Sequence, residues 1–192
     1  MNLPLHRTWA ALATVLTCAP PLHAEPVVYD LDPDHTWVTF EFRHFGTSTI
    51  RARLGPVHGA VTLDRDKGAG EIGLRLPTAS VDTGLPFFNS RLRQADLLAS
   101  TEFPDAFFVA SRLRFEGPRL AEVRGEFTFR GVSQPLSLVA TQFGCRLDAQ
   151  GEVCGGDFEA EVLRSSFGAD FGLPLVGDRV KLLVQVEGRR RP

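Results

Sequence analysis

The sequence predicts an all-β chain folded as an antiparallel barrel of eight or so strands with one short helical insertion. Three observations lead there. Apolar residues recur at every second position in run after run, the runs are joined by short turns, and charged residues fill the opposite phase. Side chains alternate between the two faces of a strand, so each run has one dry face and one wet face. Short turns make neighbours antiparallel, and closing the sheet on itself buries the dry faces and removes most open edges.

Taken in order, residues 1–24 read as a secretory signal and not as part of the fold. Arg7 supplies positive charge, Trp9 to Ala19 is a short apolar stretch, and Leu22-His23-Ala24 offers a small residue before a cut. The stretch is too short to span a bilayer, for which roughly 20 apolar residues are needed. Cys18 invites a lipoprotein reading, but Thr17 stands where a small Gly or Ala is expected. The remainder, residues 25–192, suits one domain with a full core, placed in the periplasm by export.

The first long strand runs from Trp37 onward: Val38, Phe40 and Phe42 share one face, and His44 follows them on it. Further runs are Val57, Val61 and Leu63, then Ile72, Leu74 and Leu76, then Phe107, Val109, Leu113 and Phe115. Val123, Phe127 and Phe129 come next, then Leu136, Leu138 and Ala140, then Phe158, Ala160 and Val162, and last Val180, Leu182, Val184 and Val186. The turns include Asp66-Lys67-Gly68 and Glu116-Gly117-Pro118. Between Thr83 and Asp105 the alternation stops. Asn89 is a good N-cap there, and Leu92 with Ala95 or Leu98 recurs at helical spacing, so a helix is expected over about residues 89–98, as a lid or a plug.

Cys145 and Cys154 flank what reads as a hairpin tip, and an oxidising compartment joins them into a structural disulfide. A net charge of −2 and the lack of a basic stripe interleaved with aromatics argue against nucleic acid as a partner. His35, His44 and His58 lack the close spacing of a metal site, so no metal is expected. No nucleophile elbow, phosphate loop, dinucleotide fingerprint or paired catalytic carboxylates appear, so the chain reads as a non-enzyme without a cofactor.

Five motifs in order resemble the YceI-like polyisoprenoid-binding family. They are Tyr29-Asp30-Leu31-Asp32-Pro33-Asp34-His35-Thr36 running into Phe42-Arg43-His44, Arg91-Leu92-Arg93-Gln94-Ala95-Asp96-Leu97, Glu102-Phe103-Pro104, Arg130-Gly131-Val132-Ser133-Gln134-Pro135-Leu136, and Arg164-Ser165-Ser166-Phe167-Gly168. The resemblance covers nearly the whole of residues 25–192. It implies an extended, antiparallel, eight-stranded lipocalin-like barrel whose pore holds a long apolar lipid, in some members a polyprenyl chain. One departure is Arg91, where the family often has His before Leu in the helix.

An eight-stranded barrel is just wide enough to be filled by side chains or to hold one small ligand. Val38, Phe40, Phe42, Phe107, Phe115, Phe127, Phe129 and Phe158 fall in the inward phase, either as a lipid lining or as plain core. His44 and Arg164 end inward runs and need polar partners. Either they meet the ligand's head group, with Arg91 or Arg93 from the helix, or they pair with protein groups such as Asp170 or backbone carbonyls. His35 reads as structural, in the turn before the first long strand. The expectation is an exported carrier or sequestering protein for a polyprenyl phosphate, quinone, fatty amide or similar amphiphile. Stable membrane insertion is not expected, transient membrane contact and a homodimer are compatible with the sequence, and a stress-response interaction protein with a solid barrel is the alternative.

Overall fold

The computed structural model describes residues 25–192, and the expected export signal lies outside the described residues. Strands β1 (Val27–Leu31), β2 (Trp37–His44), β3 (Ser48–Leu54), β4 (His58–Asp64) and β5 (Ala69–Pro77) precede the helix α1 (Pro86–Leu92). The long strands β6 (Asp105–Glu116), β7 (Arg119–Phe129), β8 (Val132–Asp148), β9 (Gly151–Leu163) and β10 (Val176–Arg190) follow it. Strands β1 and β4 to β10 close an antiparallel ring of eight, because β10 pairs with β1 as well as with β9.

The hairpin β2–β3 explains the two extra strands. The register places β1 against the C-terminal end of β10, from Gly188 to Arg190, and β2 against its N-terminal part, from Val176 to Gln185. Thus β1 and β2 act as one interrupted strand beside β10, while β3 pairs with β2 in the upper half and β4 with β1 in the lower half. In the upper half β3 has no ladder partner on its far side beyond a single bridge, Arg53 to Asp82, among the described residues.

Residues 78–104 cover that gap. The excursion leaves and rejoins the barrel at one place, where the Thr78 amide donates to the Pro104 carbonyl at 2.8 Å and the Thr78 hydroxyl to the Phe103 and Pro104 carbonyls. Leu92 is buried, and Leu97 and Leu98 pack with it against Phe40, Leu54 and Val180. The insertion is therefore neither a lid nor a plug but a side wall of the upper half. Its helix starts earlier than the sequence suggests. Pro86, whose fixed φ and missing N–H suit the first turn, opens it, with Leu85 at the cap position. Asn89 sits inside the helix, where its side chain accepts from the Thr83 amide and hydroxyl and donates to Asp82. The helix ends at Leu92, and residues to 98 continue as turns.

A second difference lies in β6. A register shift between Ala110 and Arg112 leaves one extra residue on this strand and reverses its phase. Ala106, Phe108 and Ala110 face inward before it, and Leu113 and Phe115 pack inward after it. Phe107, expected inward, is turned out and 43% exposed, as is Val109 at 53%.

Candidate functional site

Two apolar cavities lie along the barrel axis. The upper one, about 130 Å³, is ringed by residues of β2, β5 to β10 and the insertion. The lower one, about 60 Å³, lies toward the end formed by the β4–β5, β6–β7 and β8–β9 turns. An apolar void of about 150 Å³ holds one benzene ring, so the upper chamber in this state takes roughly one isoprene unit.

The sequence-derived lining divides between these spaces. Val38, Phe40, Phe42, Phe127 and Phe129 line the upper chamber, and Phe158 lines the lower. Phe115 packs on the main core without bordering either chamber, and Phe107 is outside. The periodicity missed Phe108, which borders both chambers, and Phe167, whose ring stands edge-on to Phe127 at 5.5 Å. Two signals were available: Phe108 shares its phase with the small residues Ala106 and Ala110, and Phe167 belongs to the Arg164–Gly168 motif.

Among the described residues, only two polar side chains border the upper chamber, Thr78 and Arg164. The Thr78 hydroxyl is engaged by the carbonyls named above. Arg164, 7% exposed, donates from Nε to the Gly177 carbonyl at 2.8 Å, from Nη1 to Ala169 at 2.5 Å and from Nη2 to Val176 at 2.8 Å. Burial pushes its pKa down, opposed by the Asp178 and Asp170 carboxylates. Arg remains charged under such a shift because its ordinary value is so high. The guanidinium thus ties the 168–177 segment to the end of β9, with three of its five N–H groups committed to backbone carbonyls. The sequence alternative of carbonyl partners is the one this geometry contains.

The other head-group candidates are distributed unevenly. Arg91 makes a two-pronged ion pair with Asp96 at 2.7 and 2.8 Å and stacks on Phe171 at 4.2 Å. Arg93 reaches the Ala79 carbonyl and Ser90 hydroxyl, on the outer side of the insertion. His44 follows Phe42 without a break in the β2–β3 register, so alternation holds through it. It lies at the end of β2 opposite Val176, half-buried, edge-on to Phe45 at 4.5 Å and beyond the cavity lining. Arg130 opens one of the five motifs but was assigned no role from the sequence. It donates to the Phe167, Ala95 and Leu97 carbonyls and so fastens the β7–β8 turn to both the insertion and the 164–167 turn.

Among the described residues, no three histidines converge. His35 pairs with Asp32 at 2.8 Å, which raises the imidazole pKa and lowers that of the carboxyl, and His58 is exposed on β4. No helix among these residues is long and apolar enough to cross a membrane.

Residues 29–188 match the family model described as the YceI-like domain. The chain belongs to the YceI-like family. Protein YceI of Shigella flexneri is 29% identical over 161 residues, covering 83% of this chain and 84% of the relative. Among solved structures, BcnA of Burkholderia cenocepacia superposes with a TM-score of 0.71 at 20% identity, over 82% of this chain and 99% of that one. A polyisoprenoid binding domain from Saccharophagus degradans gives 0.59 at 15% identity, over 85% and 98%. These likenesses agree with the YceI-like barrel inferred from the five motifs.

Proposed function

We propose that the protein is an exported, non-catalytic binding protein that holds an isoprenoid-type chain in the upper chamber, for transport, storage or sequestration in the periplasm. The observation that carries this is the apolar chamber whose only polar members, among the described residues, are Thr78 and Arg164, both engaged by backbone carbonyls. Such a lining solvates nothing polar and favours a hydrocarbon chain. The polyisoprenoid-binding neighbour supports the same class of ligand. The residues 1–24 support export.

In this reading His44, whose ring makes no hydrogen bond within the described residues, meets the polar end of the ligand at the mouth. Phe45, Phe171 and Leu175 are exposed around that mouth, with the Phe45 amide bonded to the Leu175 carbonyl, which suits brief contact with a lipid bilayer from which the ligand is taken. Native mass spectrometry of protein purified from its own host is the test. A retained lipid mass supports the carrier. A clean mass with no uptake of polyprenyl lipids supports the solid barrel.

A further inference from the structure

The two chambers share only Leu74, Phe108, Leu138 and Val184. These four come from β5, β6, β8 and β10, and they form one layer across the barrel. The apolar chambers lie above and below the layer, and these four side chains stand between them. Phe108 is the one aromatic member, and it is 3% exposed. Its strand partners at this level are Leu74 and Phe127.

The ring is surrounded by small residues. Ala106 and Ala110 flank it on its own strand, and Gly125 on β7 lies opposite Ala110. A Cβ at Gly125 would stand 2.9 Å from the tip of the Phe108 ring and 2.7 Å from the Ala110 Cβ. The inner surface is therefore bare where the ring tip lies. Gly125 thus seats the ring tip against β7 where a side chain would not fit, so the ring is packed in place and a chain that passes this level must move it.

The upper chamber takes roughly one isoprene unit, by comparison with the void of about 150 Å³ that holds benzene. A longer chain has two ways to be accommodated: to project from the mouth into water, or to continue into the lower chamber. Leaving methylenes in water forgoes the free energy of burying them, which favours the second route. We infer that Phe108 is the partition that sets ligand length, and that the lower chamber, lined by Leu31, Val61, Ile72, Val123, Phe143 and Phe158, is the subsite for the far end of a longer chain. This rests on the proposed lipid-holding function. A chain that passes the layer displaces the Phe108 ring, and a chain that stops above it leaves the ring in place.

The experiment uses delipidated protein, residues 25–192, and the prenols geraniol, farnesol, geranylgeraniol and solanesol, with two, three, four and nine isoprene units. Dissociation constants are measured for the wild-type protein, Phe108→Leu, Phe108→Ala and Phe108→Trp. For Phe108→Ala, geranylgeraniol is expected to gain about tenfold or more in affinity relative to geraniol, a difference of about 1.4 kcal/mol. Phe108→Leu is expected to shift the same ratio in the same direction by less, and Phe108→Trp to reverse it. Phe108→Leu is the milder change in volume and keeps the test open if the alanine variant does not fold. A ratio that does not move in the folded variants, with the wild type binding prenols, overturns the partition alone. A wild type that binds no prenol overturns the lipid-holding function and the partition with it.

Discussion

At the mouth of the barrel, Arg164 and Arg130 each make three bonds to backbone carbonyls, the first to Ala169 and the opening residues of β10 and the second to the insertion and Phe167, whereas at the far end strand is joined to strand. There Cys145 and Cys154 face each other in the β8–β9 ladder and form the disulfide that the sequence suggested. Beside them the Tyr29 hydroxyl donates to Glu152 at 2.8 Å, and Glu152 accepts from Arg65 at 2.6 Å. The contrast follows from topology. Among the described residues the insertion and the 168–175 loop have no ladder partners beyond the Arg53–Asp82 bridge, so turn bonds and a few side chains satisfy their carbonyls. The far end has ladder bonds as well as cross-links, so losing any one of its ties leaves the others.

The largest expected effect comes from polarity placed in the upper chamber. Phe42→Asp should abolish prenol binding, because a carboxylate in that lining must be desolvated at a cost of several kcal/mol. Titration of the folded variant with farnesol checks this, and retained affinity would show that the chain lies elsewhere. Next in size is Arg164→Met, which should lower unfolding free energy by about 3 kcal/mol, since three carbonyls, one buried and two half-buried, lose their donor. Urea denaturation measures the loss. Lys at this position should restore little, because one ammonium cannot reproduce the planar fork.

Removing the disulfide with Cys145→Ala and Cys154→Ala should cost about 2 to 3 kcal/mol on the chain-entropy model. Cys154 is buried and borders the lower chamber, not the upper one. The double variant should therefore leave geraniol affinity unchanged, and a loss for that short ligand would contradict the separation of the two ends. His44→Ala should weaken a phosphate-headed prenol relative to the neutral alcohol of equal length by about 1 to 3 kcal/mol. Equal losses for the two, with a lowered melting temperature, would make His44 a structural residue.

The smallest effect is spectroscopic. Tyr29 is the one tyrosine of the chain, so phenolate absorbance reports it alone. Burial, and then its hydrogen bond to Glu152, push its pKa up to about 12 from the ordinary 10.0. A pKa raised in the folded state gives stability that is full below the unfolded value and is lost as pH rises through the folded one. Alkaline titration should then find the midpoint near 12 with stability changing between the two values, whereas a midpoint near 10 would mean that the far end is open to water.

Several things were legible in the chain itself. The ring of strands followed from period-two alternation, since a dry face repeated in many short runs has few ways to be buried other than closure. Phe40, Phe42, Phe127 and Phe129 reached the upper chamber because β2 and the C-terminal half of β7 keep their phase without interruption. The disulfide followed from two cysteines facing across a short hairpin. Phe107 shows the limit of such reading. One extra residue at the β6 bulge reversed the phase, and a bulge depends on how the neighbouring strand pairs, which local alternation does not encode.

Only the tertiary structure decided which polar groups were free. Arg164, Arg91 and Arg93 look alike as charges in a sequence, yet one is surrounded by carbonyls, one is paired with Asp96, and one lies on the outer side of the insertion. Their partners come from segments that meet at the mouth only after the barrel closes. Likewise, the division of the pore into two chambers depends on Leu74, Phe108, Leu138 and Val184 meeting at one level. Strand alternation specifies which face a side chain takes, but its level along the barrel axis is set by register, and register is a property of the pairs and not of any one strand.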